Sequence, residues 1–256
     1  MDGSKLINHI CKRLQEVEIE NYPYSHKFVE NIFPEYEYIE ILKNLPDREF
    51  YRSKVELDKK AKNENYSPER YEFLINKDNL NLLSNEKKEF WYNFYKNLYD
   101  LKIQNTVLEV FKETIGNRLK KLIETEKNKI GIKNYRVTKR ATIVKDFKKY
   151  HLGAHTDNAK KLITFLFYLP KDDSLESLGT SIYACKPGVN PLELDRHLSD
   201  EDTKKFFNKV KTLKFSPNSL LIFPRTNLSF HGVDEINIES KDRDLLLFNF
   251  YISGEK

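Results

Sequence analysis

His155, Thr156 and Asp157 form an H-x-D triplet. On extended chain, positions i and i+2 point to the same side, so the imidazole of His155 and the carboxylate of Asp157 can reach one point in space. An imidazole with a carboxylate is a mixed nitrogen–oxygen donor pair that suits Fe(II), Mn(II) or Zn(II). Alone, such a triplet is common by chance; the distal context gives it weight. His231 lies in Ser229-Phe230-His231-Gly232-Val233, inside a predicted strand, and Arg243 stands at the start of the last long strand, DLLLFNFYI. Two histidines and one carboxylate from two strands make a facial triad, which leaves three adjacent positions open on an octahedral metal. Arg243 offers a planar fork for a carboxylate, with two parallel charged hydrogen bonds.

The elements that must hold these residues can be read from periodicity. Leu6, Ile7, Ile10 and Leu14 recur at helical spacing over residues 4–16, and a second helix is predicted over 34–45, ended by Pro46. Residues 26–33 read as a short strand, and 52–70 as a charged, solvated loop. From Asn85 to about Thr125 the period is helical: two helices, or one that breaks near 104–106. The stripe Phe90, Phe94, Leu98 and Leu101 reads as core packing against a sheet. After Gly131 the texture changes to strands, predicted at 135–147, 162–169, 180–184, 219–223, 228–233 and 244–252. No helix is required between them, so an antiparallel sandwich or barrel is expected rather than βαβ units. Residues 188–210 read as an inserted loop or lid, with a short helix at 200–210. The division expected is one domain over 1–256: helical support with one strand over about 1–130, and a β core over about 131–256 that carries the metal site.

The composition narrows the class of function. Hydrophobic residues make up 39% and aromatics 13%, enough for a real core, and 2 Cys exclude a disulfide scaffold or a cysteine-rich zinc module. The net charge is +5, from 44 basic and 39 acidic residues, too modest a surplus to favour a nucleic-acid binder. No apolar run is long enough to span a membrane, and the first residues do not read as a signal peptide, so a cytoplasmic setting is expected.

The order His155-x-Asp157, His231, Arg243 resembles the Fe(II)- and 2-oxoglutarate-dependent dioxygenase superfamily. The similarity extends to YPYSHKFVENIFPEYEYIEILKNLP (22–46), YHLGAHTDNAKKLITFLFYLP (150–170), LGTSIYACKP (178–187), FSPNSLLIFPRTNLSFHGV (215–233) and DRDLLLFNFY (242–251). These segments resemble prolyl-hydroxylase-like members, an uncharacterised bacterial subgroup among them. The resemblance implies an α+β fold, with a double-stranded β-helix (jelly roll) buttressed by N-terminal helices. It implies His155, Asp157 and His231 as Fe(II) ligands and Arg243 as the partner of the distal carboxylate of 2-oxoglutarate. It also implies O2 as co-substrate, and hydroxylation of a small-molecule or peptidyl substrate with release of succinate and CO2. Collagen-type prolyl hydroxylases usually carry Lys where Arg243 stands. Asp157 argues against halogenation, because halogenating relatives have a small residue there.

Other residues are placed near this chemistry. Thr164 and Tyr168 share one face of the strand after the metal pair, where either hydroxyl would assist the 2-oxoglutarate carboxylate; ordinary strand packing is the plainer reading. Asn249 faces either the barrel interior or solvent. Arg140 touches either substrate or an acidic surface partner, and Arg225 and Asn227 are expected near the mouth of the site. Cys185 reads as a small buried filler. The rival from another class is a cupin-like metal-binding barrel without oxygenase activity, which would have no need of a fixed cation at Arg243.

Overall fold

Along the last strand the even-numbered residues Leu246, Phe248, Phe250 and Ile252 are large and apolar, while the odd positions include Arg243, Asn249 and Tyr251. A period of two sends the two sets to opposite faces. In the computed structural model, which describes residues 2–57, 70–127, 134–194 and 198–255, the even set packs under helices and the odd set lines a cavity.

The chain runs α1 (Gly3–Glu16), β1 (Lys27–Glu30), α2 (Glu35–Lys43), β2 (Arg52–Ser53), α3 (Lys54–Leu57), β3 (Arg70–Leu74), α4 (Lys77–Leu80), α5 (Asn85–Leu98), α6 (Leu101–Val110), α7 (Lys112–Lys127), β4 (Asn134–His155), β5 (Lys161–Tyr168), β6 (Ser181–Cys185), α8 (Asp200–Phe206), β7 (Phe207–Thr212), β8 (Ser219–Pro224) and β9 (His231–Glu255). This is an α+β fold on an antiparallel sheet of order β1-β8-β5-β9-β4-β3-β2, with β6 joining β9 and β7 as a branch. β4 and β9 pair from Asn134↔Glu255 to His155↔His231, with register shifts after Asp146, Tyr150 and Leu152. Such irregularities bend a strand. The far end of the pair thereby reaches β6, where Ser181 and Ile182 face Gly232 and His231.

One apolar cluster joins the helices to the sheet. Leu6, Ile10 and Leu14 of α1, Trp91 and Phe94 of α5, and Ile103 and Val107 of α6 pack with Phe165, Phe167, Phe248 and Phe250. The rings of Phe33 and Phe167, and of Phe165 and Phe250, lie 5.0 Å apart. Trp91 is fully buried, and its indole N–H donates to the Asn44 carbonyl at 2.6 Å. Phe90, Phe94 and Leu98 of the expected stripe are therefore core, whereas Leu101, the first residue of α6 beyond the break, is exposed.

Several sequence expectations need correction. The helical stretch after Asn85 holds three helices, and none of its breaks falls at 104–106. The first comes at Tyr99–Asp100, where the Asp100 carboxylate accepts from the Lys102 N–H and starts α6; the second is at Phe111. The strands expected at 228–233 and 244–252 meet in one strand, His231–Glu255, which pairs with β4 at both ends and again over residues 236–238. The helix expected to reach residue 210 stops at Phe206, since 207–212 pair with β6. Residues 1–130 contribute three strands rather than one: β1 pairs with β8, and β2 and β3 extend the sheet beyond β4. The loop expected at 52–70 begins as β2 and α3 and ends at Arg70 in β3; its residues 58–69 lie outside the described residues, as does His197 within the expected lid.

Trp91→Ala removes a large, fully enclosed side chain, a change that costs roughly 3–5 kcal/mol in a protein core. Thermal unfolding should show a drop in Tm on the order of 10 °C; an unchanged Tm would mean that α5 contributes little to the fold.

Candidate active site

His155 ends β4 and His231 begins β9, and the two are directly paired across the ladder. Their ring centroids lie 4.3 Å apart. Asp157 follows two residues beyond His155. Both imidazoles and the carboxylate are buried, and their ligand atoms lie within 4.8 Å of one another, close enough to converge on a single ion. This is the only group of three or more such residues found among the described residues.

The backbone orients both rings. The Nδ1 of His155 lies 3.1 Å from the Gly153 carbonyl, and that of His231 lies 3.0 Å from the Ser229 carbonyl. A carbonyl only accepts, so Nδ1 carries the proton in each ring and Nε2 is left to face the cluster. The Nε2 of His231 lies 4.0 Å from an Asp157 carboxylate oxygen. Close backbone approach makes this possible. A Cβ on Gly153 would stand 2.2 Å from the Leu198 carbonyl, and one on Gly232 would stand 2.5 Å from the Leu152 carbonyl. Only glycine fits at positions 153 and 232.

Asp157 is fixed at both oxygens. Lys161 donates to Oδ1 at 2.6 Å and the Thr164 hydroxyl to Oδ2 at 2.5 Å, while Arg225 Nε donates to its backbone carbonyl at 3.1 Å. Burial alone would raise the Asp157 carboxyl; Lys161, followed by the histidines, outweighs this and holds it well below the usual carboxylate range. Burial lowers His231 from its ordinary value, against the pull of Asp157. The carboxylate is therefore ionised and His231 neutral near pH 7, the forms in which they donate to a metal. Two imidazoles and a carboxylate suit Fe(II).

A second cluster crosses three strands in one rung. Arg70 on β3 is paired with Asp146 on β4, and Asp146 with Arg243 on β9. The Asp146 carboxylate accepts from Arg70 Nε at 2.7 Å and Nη2 at 2.9 Å, and from Arg243 Nη1 at 2.6 Å. Arg243 Nε donates to the Leu178 carbonyl at 2.8 Å, and the guanidinium lies 4.5 Å from the Phe215 ring centroid. Its Nη2 is buried without a hydrogen-bond partner. Two guanidiniums share one carboxylate, so the rung keeps one unit of positive charge. An unpaired charged donor costs free energy in a buried site, and an anion relieves that cost.

A cavity of about 230 Å³ joins both clusters and is lined by His155, Asp157, His231, Arg70 and Arg243, among others. Thr164 lines it too, but its hydroxyl is directed at Asp157. Tyr168 is fully buried and donates at 2.7 Å to Thr180, which lines the cavity. Asn249 and Arg140 line it as well, whereas Arg225 and Asn227 line a neighbouring cavity of about 820 Å³. Cys185 is half-buried, and burial pushes its thiol up, away from a reactive thiolate. Arg70, Asp146 and Lys161 are site residues that sequence reasoning missed.

Thr164→Val keeps the shape of the side chain and removes the hydroxyl that fixes Asp157. Loss of such a supporting contact typically weakens metal binding roughly 10–100-fold. Titration of Fe(II) or Ni(II) should show that weakening with an unchanged far-UV spectrum; wild-type affinity would detach Thr164 from the metal site.

No family model matches the chain, and no curated protein matches it in sequence. Solved structures do resemble it. One is the epimerase SnoN in complex with Fe3+, alpha ketoglutarate and nogalamycin RO, at 9% identity and a TM-score of 0.50, covering 96% of this chain and 83% of that one. Another is HygX from Streptomyces hygroscopicus with nickel and 2-oxoglutarate bound, at 12% identity, a TM-score of 0.48 and coverage of 88% and 82%. A prolyl-4-hydroxylase from Pseudomonas putida resembles it at 8% identity, a TM-score of 0.43 and coverage of 96% and 98%. By its likeness to SnoN, this chain shares its fold with an epimerase solved in complex with Fe3+ and alpha ketoglutarate.

Proposed function

We propose that this protein is an Fe(II)- and 2-oxoglutarate-dependent dioxygenase that acts on a C–H bond of a small-molecule or peptidyl substrate. The observation that carries this reading is the coexistence, in one cavity, of a buried two-histidine, one-carboxylate cluster and an arginine with an unpartnered buried donor. The SnoN structure, with Fe3+ and alpha ketoglutarate bound, supports the same combination of ligands. The strand order, with β4 and β9 running from the main sheet to the β6–β7 branch, supports a double-stranded β-helix built as one domain. Two free cysteines are compatible with a reducing, cytoplasmic setting. No helix among the described residues is long and apolar enough to cross a membrane.

His155, Asp157 and His231 would hold the metal. Arg243 would pair with the distal carboxylate of 2-oxoglutarate, with Thr180, held by Tyr168, on the same cavity wall. When bound, iron and 2-oxoglutarate supply the oxidation, in which O2 is consumed, succinate and CO2 are released and oxygen is delivered to substrate. The protein's own part is placement. Asp146 and the Leu178 carbonyl aim the Arg243 fork, and the Phe215 face backs it. Lys161 and Thr164 keep Asp157 from turning. Leu152, Leu166, Val233, Leu245 and Leu247 give the cavity apolar walls that limit water at the reacting centre.

Under anaerobic conditions, Fe(II) with 2-oxoglutarate should give a visible charge-transfer band, and 2-oxoglutarate should raise Tm. If neither occurs, the assignment is wrong and a metal-binding barrel takes its place. Arg243→Gln should weaken 2-oxoglutarate binding by roughly 10–100-fold, the scale of a lost charged contact, with metal affinity retained. Equal loss of both would count against the role given to Arg243.

A further inference from the structure

The cavity carries positive charge at two separate places. Of the cations that line it, Lys54 lies 3.3 Å from Glu72, Lys161 is paired with Asp157, and Arg70 and Arg243 share Asp146. Arg140 also lines it, is exposed, and has no ion-pair partner among the described residues. An anion at Arg243 would neutralise the Arg70–Asp146–Arg243 rung and leave Arg140 untouched. Arg140 and Asp146 are six residues apart on β4, so the two positive points are separated by about 20 Å of strand.

Arg140 sits on a rung of its own. It pairs across β4 and β9 with Asn249, and Asn249 pairs across β9 and β5 with Thr164. All three line the cavity. Asn249 is buried, and its side-chain oxygen has no hydrogen-bond partner. A buried amide without a partner costs free energy in the same way as any unmade hydrogen bond. Thr164 binds the Asp157 carboxylate, so the rung starts at the metal cluster and ends at an open cation. Neighbouring strands are about 4.8 Å apart, which puts the backbone of Arg140 about 10 Å from that of Thr164.

We propose that Arg140 and Asn249 form the primary-substrate subsite, and that the substrate is a carboxylate-bearing molecule with a hydrogen-bonding amine or hydroxyl next to the carbon that reacts. Arg140 grips the carboxylate and Asn249 takes the polar group. The proposal rests on the iron and 2-oxoglutarate reading of the same cavity.

The test uses the full chain loaded anaerobically with Fe(II) and 2-oxoglutarate, and follows the visible band as free L-amino acids, 2-hydroxy acids and the matching carboxamides are added. Wild type should respond to at least one carboxylate about tenfold more tightly than to its carboxamide, and Arg140→Gln should bring the two to equal affinity. Asn249→Ala should weaken the responding acid more than its analogue lacking the amine or hydroxyl. The proposal is overturned if no carboxylate perturbs the band, if acid and amide act alike on wild type, or if Arg140→Gln keeps the preference. A missing band in wild type sinks the iron and 2-oxoglutarate reading itself, and that result is distinct from a band that forms but ignores carboxylates. Arg140→Lys, which keeps the charge, should retain part of the preference, and this separates loss of recognition from loss of folding.

Discussion

The ladder between β4 and β9 is the constraint that everything around the cavity obeys. Three of its rungs carry the residues of the proposed site: His155 opposite His231, Asp146 opposite Arg243, and Arg140 opposite Asn249. The residues of each rung lie far apart in sequence, and only pairing in this register brings them together. A slip of one residue would send every side chain of a strand to the other face. It would expose Phe248 and Phe250 and bury Arg243 among the helices. The apolar packing that opposes such a slip is therefore also what aligns His155 with His231.

Charge can be buried on the arginine rung because its members pair with one another. Asp146 accepts from both flanking arginines, and burial, which works against the charge of Arg70, is more than offset by Asp146. Removing one member of such a buried set is strongly destabilising, on the order of 3–5 kcal/mol, because the others are left uncompensated. The cluster thus fixes β3 onto β4 and β9 while leaving the Nη2 group of Arg243 for a ligand. Rigidity and binding come from the same hydrogen bonds.

The sequence made the metal cluster legible because its signal is local. His155 and Asp157 are two positions apart on extended chain, and His231 and Arg243 each stand at a recognisable strand. Arg70 and Asp146 gave no such signal. An arginine at the end of a charged stretch and an aspartate in a strand acquire meaning only when β3 comes to lie beside β4. Lys161, four residues after Asp157, was near enough to notice, but alternation gives no reason to favour it over any other strand-end lysine. The helix break at Asp100 was readable in principle, since an aspartate ahead of an apolar run is a common N-cap. The continuous apolar period on either side obscured it. The unity of β9 was hidden by residues 239–243, Glu-Ser-Lys-Asp-Arg, a polar run that breaks the alternation on either side of it.

The division of β9 into two faces has a consequence for how such a site changes over time. Phe248 and Phe250 hold the fold, whereas Asn249 and Tyr251, between and beside them, meet the cavity. Substitutions at Asn249 and Tyr251 leave the helix-facing contacts intact, so the repertoire of molecules the cavity accepts can drift while the scaffold stays as it is. The chain carries a fixed face and a variable face interleaved one residue at a time.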